Sequence, residues 1–177
     1  MPDLVRLDRG TSGVLLFALE PAAAADVGRA FQAGRVEKLY LALVRGVPPE
    51  SGSVDHPIPR VAGGERVAAV TDFRLIARSP TERCSLVLAR PRTGRLHQVR
   101  RHLKHISHPL VGDVRYGRGD INRHYRANYS LCRLALHAWS LELPHPHTGS
   151  PLRLHAPMPA DLAVALTALG LPTTPKT

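Results

Sequence analysis

Residues 5–19 read VRLDRGTSGVLLFAL, a loop rich in turn formers followed at once by an apolar run. The loop holds one carboxylate, Asp8, between the arginines Arg6 and Arg9. The run Val14–Leu19 has the length and composition of a buried strand, so we expect the loop to feed the first strand of a sheet. A carboxylate beside fixed cations stays ionised at neutral pH, which suits a nucleophile. The alternative is an Asx-turn, with Asp8 bonded to its own backbone and both arginines solvated.

Size and composition predict one globular domain. The chain has 177 residues, of which 44% are hydrophobic, so it can bury a core. We place the domain at residues 1–170 and a flexible tail at residues 171–177. No apolar run is long enough for a membrane span, and two cysteines do not make a disulfide framework. We therefore expect a cytoplasmic protein, and we expect it to be a monomer.

The charge balance predicts a polyanionic partner. Lysine and arginine number 24 against 14 acidic residues, which gives a formal net charge of +10. Most of the excess is arginine, whose planar guanidinium suits phosphate contacts and stacking on bases. Nucleic acid is the first candidate partner and an anionic membrane surface the second. A GC-rich coding sequence would also enrich arginine, so this signal alone is weak.

The order of local patterns predicts a mixture of helices and strands. Proline at the start and glycine after the end predict a helix over residues 21–31, and similar punctuation predicts a last helix over residues 160–169. Apolar residues at helical spacing predict a further helix over residues 96–106. Strands are predicted at residues 37–46, 67–77, 82–89, 134–143 and 152–155. Residues 119–131 read as a polar loop whose arginines and tyrosines are typical of a nucleic-acid contact.

The densest polar segment, residues 90–105, reads RPRTGRLHQVRRHLKH. A helix that begins after a Thr-Gly turn, with arginines clustered around it, can bind a phosphate group; a solvated basic helix is the alternative. Histidines at positions 97, 102, 105 and 108 raise the question of a metal. Their spacing places at most two on one helical face and no cysteine is near, so we expect no metal site.

Several blocks of the chain resemble the signatures of the RluA-type pseudouridine synthases. Residues 6–13 resemble the HRLDRxTSG motif, and residues 38–46 resemble K-x-Y-x-A-x-V-x-G. Residues 91–117 are similar to the P-x-T-G-R-x-H-Q-[IL]-R-x-H-L…HP-[IL]-x-GD-x-x-YG block, and a closing LHA…HP-x-TG…A-P-x-P block follows. This chain departs from the family in having Val5 at the position of the first motif's histidine. It also has only Met1–Leu4 where the family carries a sizeable segment.

The resemblance implies a fold, an activity and a set of site residues. The fold is an α+β domain, with a mostly antiparallel twisted sheet, flanking helices and a central catalytic cleft. Asp8 is implied to be the catalytic residue, Arg100 its ion-pair partner and Tyr40 the aromatic that packs on the target base. Neither a metal nor an organic cofactor is implied. We expect the substrate to contact a basic group of residues, namely Arg6, Arg9, Arg95, His97, Gln98 and Arg101, with Arg6 filling the vacated base stack.

The expected substrate is RNA. The pattern is most similar to the branch of the family that isomerises a uridine at the end of the T stem of tRNA; ribosomal RNA is the alternative. Other interpretations are a catalytically silent RNA-binding domain and a hydrolase that pairs Asp8 with a histidine, although no Gly-x-Ser-x-Gly or HExxH motif supports the hydrolase. Because so few residues precede Asp8, we expect this chain to bind tRNA with a steep salt dependence but to isomerise it slowly.

Overall fold

The computed structural model describes residues 7–59 and 63–175. Its helices are α1 (Pro21–Gln32), α2 (Gln98–His105), α3 (Gly119–Tyr129) and α4 (Ala160–Ala168). Its strands are β1 (Ser12–Gly13), β2 (Glu37–Arg45), β3 (Ser51–Asp55), β4 (Ile58–Pro59), β5 (Arg66–Val67), β6 (Val70–Arg78), β7 (Cys84–Pro91), β8 (Leu136–Pro144) and β9 (Pro151–His155). These elements confirm the predicted α+β class.

The main sheet has seven strands in the order β1-β8-β2-β7-β6-β3, and β9 also pairs with β8. Every pairing in it is antiparallel except that of β1 with β8, where Ser12 lies opposite His137. The strands β4 and β5 form a separate pair. The prediction of a mostly antiparallel sheet is therefore confirmed.

Alternate residues of the central strand β2 pack on opposite faces of the sheet. Leu41 and Leu43 lie in a cluster with residues of α3 and α4, whereas Ala42 and Val44 lie in a cluster with residues of α2. Side chains alternate because successive Cβ atoms of a strand point to opposite faces. Since helices cover both faces, β2 reads as a continuous apolar run.

The prediction that residues 14–19 form a buried strand is wrong. The strand β1 ends at Gly13, and three apolar side chains beyond it are exposed, those of Leu15, Phe17 and Leu19. The reason lies in β8: β9 pairs with its residues from Ser140 onward, so the chain after β1 cannot continue along that strand. The run is therefore only partly buried: Val14 and Leu16 pack against a cluster that includes residues of α1, and Ala18 is buried.

Most of residues 119–131, predicted as a loop, instead form the helix α3, which ends at Tyr129. Its apolar residues Ile121, Tyr125 and Tyr129 are spaced four apart, which places them on one helical face. Tyr125 is buried, and the other two pack against the same core cluster as α4. The isolated sequence looks polar because the other faces of α3 are exposed to solvent.

The other predicted helices and the final hairpin are confirmed to within two residues at each end. Leu171, the first residue of the predicted tail, is buried in the core cluster of α4. Residues 176–177 lie outside the described ranges, so the flexible tail and the 1–170 domain boundary stay predictions. No helix within residues 7–59 and 63–175 is both long and apolar enough to cross a membrane.

Candidate active site

A cleft of about 450 Å³ opens on the α2 face of the sheet. Its walls come from the loop before β1, from α1 and β2, and from the loop between β7 and α2. Each predicted motif therefore contributes to one concave surface, although the motifs are far apart in sequence. The titratable side chains that line the cleft are Asp8, Arg9, Lys38, Tyr40, Arg95 and His97.

A backbone turn holds Asp8 at the edge of this cleft. The Thr11 N–H donates to the Asp8 carbonyl oxygen at 2.8 Å, and Arg133 Nη2 donates to the Gly10 carbonyl oxygen at 2.8 Å. Gly10 has φ +86°, a left-handed conformation that glycine adopts without strain. The Asp8 side chain is 20% exposed. The turn thus leaves the carboxylate accessible from the cleft.

Arg100 links Asp8 to a second, buried carboxylate. Its Nη1 donates to Asp8 Oδ2 at 3.2 Å, while its Nε and Nη2 donate to the two Asp113 oxygens at 2.8 and 2.9 Å. The Asp113 side chain is 0% exposed and also accepts the backbone N–H groups of Arg115 and Tyr116. Because the two-pronged pairing fixes the plane of the guanidinium, Asp113 orients the N–H that meets Asp8.

The Arg100–Asp113 pair stays charged in spite of its burial. Burial alone would raise the pKa of Asp113, but hydrogen bonds from Arg100 and from two backbone N–H groups hold that pKa below its ordinary range. Burial alone would lower the pKa of Arg100, and its two carboxylate partners raise it. Each partner thus stabilises the charged form of the other. Removing either one leaves a buried ion without a counter-charge.

Tyr40 lies on β2 at a point where the pairing with β8 shifts register, between Leu39 and Tyr40. Such a bulge changes the direction of a side chain, and Tyr40 lines the cleft together with Asp8. Burial raises the pKa of Tyr40 to about 12, and the negative charge of Asp8 adds to this effect. The ring is therefore a neutral phenol at physiological pH.

His97 lies between Asp8 and Tyr116 at the start of α2. Its φ of 54° is left-handed, and its side chain is 14% exposed. Nδ1 is 3.0 Å from Tyr116 Oη, and Nε2 is 3.9 Å from Asp8 Oδ1. Burial lowers the pKa of His97, the charge of Asp8 opposes this, and nearby guanidinium groups lower it further, those of Arg100, Arg115 and Arg101. The net shift is downward, so the imidazole is neutral at neutral pH.

Gln98 holds the loop that precedes α2. Its side-chain oxygen accepts Thr93 Oγ1 at 2.7 Å and the backbone N–H of Arg95 at 3.0 Å. Its Nε2 donates to the Val70 carbonyl oxygen at 2.8 Å and to Thr71 Oγ1 at 3.1 Å. An amide side chain has two donor hydrogens and two acceptor lone pairs, so this one is fully occupied. The geometry therefore favours a positioning role over the predicted substrate contact.

The predicted basic contacts fall into different positions. Arg9 and Arg95 are exposed and line the cleft, and Arg95 Nε also donates to the Ala68 carbonyl oxygen at 3.3 Å. Arg101 is not among the residues that line the cleft. Its Nε donates to Tyr116 Oη at 2.8 Å and its Nη1 to the Pro59 carbonyl oxygen at 3.2 Å. Arg6 lies outside the described residues, so its predicted role stays a prediction.

The sequence analysis assigned no role to three residues of this region. Asp113 and Tyr116 belong to the GD-x-x-YG motif, and the Tyr116 ring lies 5.0–5.8 Å from the charged groups of four cationic side chains, those of Arg100, Arg101, Lys104 and Arg115. Lys38 of the K-x-Y motif donates to the Thr93 carbonyl oxygen at 3.0 Å, and burial lowers its pKa. Asp113 is an acidic residue within a basic stretch of sequence, and this pattern could have indicated that it forms an ion pair.

The histidines near α2 have separate partners. His102 is buried between Thr71 Oγ1 at 2.8 Å and the His56 carbonyl oxygen at 2.9 Å, and His108 bonds the Arg45 carbonyl oxygen. Among the residues that the structure describes, no three His, Cys, Asp or Glu side chains are grouped so that they could hold a metal ion.

Comparison with known proteins agrees with this geometry. Residues 4–105 match the family model described as RNA pseudouridylate synthase. A tRNA pseudouridine synthase C of Pectobacterium carotovorum subsp. carotovorum is 38% identical over 186 residues, covering 93% of this chain and 49% of its own length. The protein of the same name from Salmonella typhimurium is also 38% identical over 186 residues, covering 93% of this chain and 71% of its own length. The chain thus spans about half the length of the first relative and 71% of the second.

A solved structure gives the same result at the level of the fold. The human RNA pseudouridylate synthase domain containing 4 superposes with a TM-score of 0.81 at 28% sequence identity, covering 98% of this chain and 77% of that one. Family model, relatives and fold agree, and the chain therefore belongs to the RNA pseudouridylate synthase family.

Proposed function

We propose that this chain isomerises uridine to pseudouridine in structured RNA, with tRNA as its substrate. The observation that carries the proposal is the Asp8 carboxylate, which lines the same cleft as Tyr40 and is paired with Arg100 Nη1 at 3.2 Å. The choice of tRNA is supported by relatives whose names specify a tRNA pseudouridine synthase. We further propose that the protein acts as a monomer in the cytoplasm.

The reaction exchanges the bond between the sugar and the base, and it requires one carboxylate. The bond between C1′ and N1 breaks, the uracil rotates in place, and C5 joins C1′. Asp8 acts either as a nucleophile, at C1′ or at the uracil ring, or as a base at the sugar. In each route the carboxylate must be released again as an anion. The Arg100 N–H held toward it by Asp113 stabilises that anion in place, without reorganisation of solvent.

The target uridine must leave its base stack before it reaches Asp8. Unstacking costs a few kcal/mol, which contacts in the pocket have to offset. We propose that the neutral Tyr40 ring receives the base and that Arg6 fills the space left in the RNA. Two exposed cations at the cleft, Arg9 and Arg95, would contact phosphates, consistent with the formal net charge of +10. His97 lies at the reacting end of the cleft, while Arg101 and Gln98 position its walls.

The test is a release assay on full-length RNA. Transcripts of tRNA and of ribosomal RNA, each carrying tritium at C5 of uridine, are incubated with the protein, and label in water is counted. We expect release from tRNA above the no-enzyme background, and pseudouridine at one position on nuclease digestion. Release from ribosomal RNA alone would contradict the tRNA assignment. Tight binding of tRNA without release from either RNA would contradict the isomerase and favour a silent RNA-binding domain.

A further inference from the structure

The proposed isomerisation leaves one proton to be removed. When C5 has joined C1′, C5 still carries its hydrogen, and the uracil lacks its C5=C6 double bond. A base must take that proton close to C1′, the centre at which Asp8 works. Tyr40 is unsuited to the task at neutral pH, because a phenol whose pKa is raised to about 12 keeps its proton.

His97 has the right position for this base. Its Nε2 is 3.9 Å from Asp8 Oδ1, so the ring nitrogen is adjacent to the carboxylate that is proposed to react at the sugar. The ring lines the cleft although its side chain is only 14% exposed. A nitrogen beside the catalytic carboxylate is also beside C5 after rotation, because C5 then occupies the site that N1 has left.

The side of the His97 ring that faces away from Asp8 contacts Tyr116. Its Nδ1 is 3.0 Å from Tyr116 Oη, which also accepts a hydrogen bond from Arg101 Nε at 2.8 Å. A phenol oxygen can accept two hydrogen bonds, so it can receive the His97 Nδ1–H as well. In that tautomer the lone pair is on Nε2, on the side of Asp8. Tyr116 Oη can also donate its hydrogen to Nδ1, so the base role requires this tautomer.

The charged surroundings of His97 are mainly cationic. The carboxylate of Asp8 favours the imidazolium, and three guanidinium groups oppose it, those of Arg100, Arg101 and Arg115; Lys38 lines the same cleft. Burial acts in the same sense as the arginines and is the largest effect, so the pKa of His97 lies below 6.5. The ring is therefore available as a base at neutral pH.

We infer, resting on the proposed isomerase function, that His97 Nε2 is the catalytic base that removes the C5 proton of the rotated uracil. The electron pair of the C5–H bond becomes the C5=C6 double bond. The electrons of the C6=N1 double bond move to N1, which takes a proton from water. The imidazolium returns its proton to water, so protons balance and no oxidant or reductant is needed.

The experiment compares His97→Asn with wild type on tRNA whose uridine carries either hydrogen or deuterium at C5. Asparagine tolerates a left-handed backbone and is a good helix N-cap, so it suits the position of His97. Loss of a general base lowers turnover by about 100- to 10,000-fold. We expect such a loss, a deuterium effect on pseudouridine formation larger than that of wild type, and partial rescue of the rate by added imidazole. The control is His147→Asn, an exposed histidine in the turn between β8 and β9, which should match wild type.

The isotope effect decides the role. It is a ratio of two rates from one protein sample, so it holds even if the variant is partly unfolded. His97→Gln should give the same ratio. Lower turnover with an unchanged isotope effect would overturn the inference, because His97 would then act through shape alone; wild-type turnover in His97→Asn would overturn it as well. If wild type releases no label from C5-tritiated tRNA, the proposed function fails together with it.

The pH profile is a second readout. Turnover requires the neutral ring, so it should fall as the pH is lowered through the pKa of His97. Because that pKa is shifted downward from 6.5, the acid limb of the wild-type profile lies below pH 6.5. In His97→Asn this limb should be absent; its persistence would assign the limb to another group and overturn the inference.

Discussion

The two faces of the central sheet have different chemistry. The face covered by α3 and α4 is packed by an apolar cluster that includes Leu41, Leu86 and Leu166, beside which one polar side chain, His137, is also buried. The face covered by α2 also buries polar side chains, each with hydrogen-bond partners, namely Thr71, Gln98, Arg100, His102 and Asp113. The first arrangement is the kind that stabilises a domain. The second fixes the direction of a few groups at the cleft, at a cost in desolvation.

The contrast teaches where stability and catalysis can be separated. An apolar cluster tolerates repacking at a cost in free energy of unfolding, with no direct effect on the cleft. The polar network links stability to the proposed function, because Arg100 contacts both the buried Asp113 and Asp8, the proposed catalytic carboxylate. Variants placed on the two faces should therefore fail in different ways.

The largest effect on activity is expected from Asp8→Asn. Asparagine has nearly the same shape and keeps an oxygen that Arg100 can bond, so the fold should be retained. We expect tritium release to fall to background while tRNA affinity stays within a few-fold, because phosphate contacts provide most of the binding. Release assays and filter binding measure the two quantities. Turnover above background in this variant would remove Asp8 from the mechanism.

Arg100→Met should damage both stability and activity. It leaves Asp113 buried and unpaired, which costs about 3–5 kcal/mol of unfolding free energy. Denaturant unfolding at pH 7 measures the loss. The control is Arg118→Met, which breaks an exposed ion pair with Asp120 and should leave the melting temperature unchanged. An Arg100→Met protein with wild-type stability and turnover would contradict the assigned network.

The same variant has a pH signature. In the fold the pKa of Asp113 is held below 3.8, so its pairing stabilises the native state above that pH, and the gain is lost as the pH falls through the lowered value. The share of wild-type stability that this pairing provides should therefore be full at pH 7 and be lost below pH 3.8, and Arg100→Met should lack this acid loss.

Leu166→Ala tests the apolar face. Leu166 is 3% exposed, and a buried leucine-to-alanine change costs about 2–5 kcal/mol. We expect that loss of stability with unchanged turnover at a temperature where the variant is folded. A Leu166→Ala protein that folds normally but isomerises tRNA poorly would show that the two faces are coupled.

The smallest effect is expected from Arg95→Gln at the rim of the cleft. Removing one phosphate contact should weaken tRNA binding and reduce the slope of log affinity against log salt by about 1, with turnover at saturating tRNA unchanged. Arg153→Gln is the matched control, because it removes the same charge from an exposed ion pair with Glu142 on β9 and β8. Equal losses in both variants would mean that net charge, and not the cleft rim, determines binding.

Local sequence was sufficient where an element is defined by its own neighbours. Helix α1 begins at Pro21 as predicted, and β2 follows its apolar run. Local sequence was insufficient where a residue distant in sequence determines whether a segment forms a strand or a helix. Residues 14–19 look like a strand, yet β9 occupies the edge of β8 that they would need. Residues 119–131 look polar, yet three apolar residues spaced along one face give the helix α3 over residues 119–129.

For the site, the motifs located Asp8, Tyr40 and Arg100, and the structure brings Asp8 to Tyr40 in one cleft and to Arg100 by a hydrogen bond. Their catalytic roles remain proposals. The sequence did not reveal which side chains these residues contact. In the structure Asp113 is the second partner of Arg100, and Tyr116 is the partner of His97. Each of these contacts joins residues separated by many positions along the chain.

The sequence by itself determined the family and the α+β class and located the candidate site residues, because long motifs and hydrophobic periodicity are local properties of the chain. The tertiary structure alone decided which charges are paired and which are available. Arg95 stays exposed at the cleft, whereas Arg101 bonds Tyr116 and Arg100 is buried between two carboxylates. Pairing and desolvation depend on distance through space, and that distance exists only once the sheet and α2 have packed together.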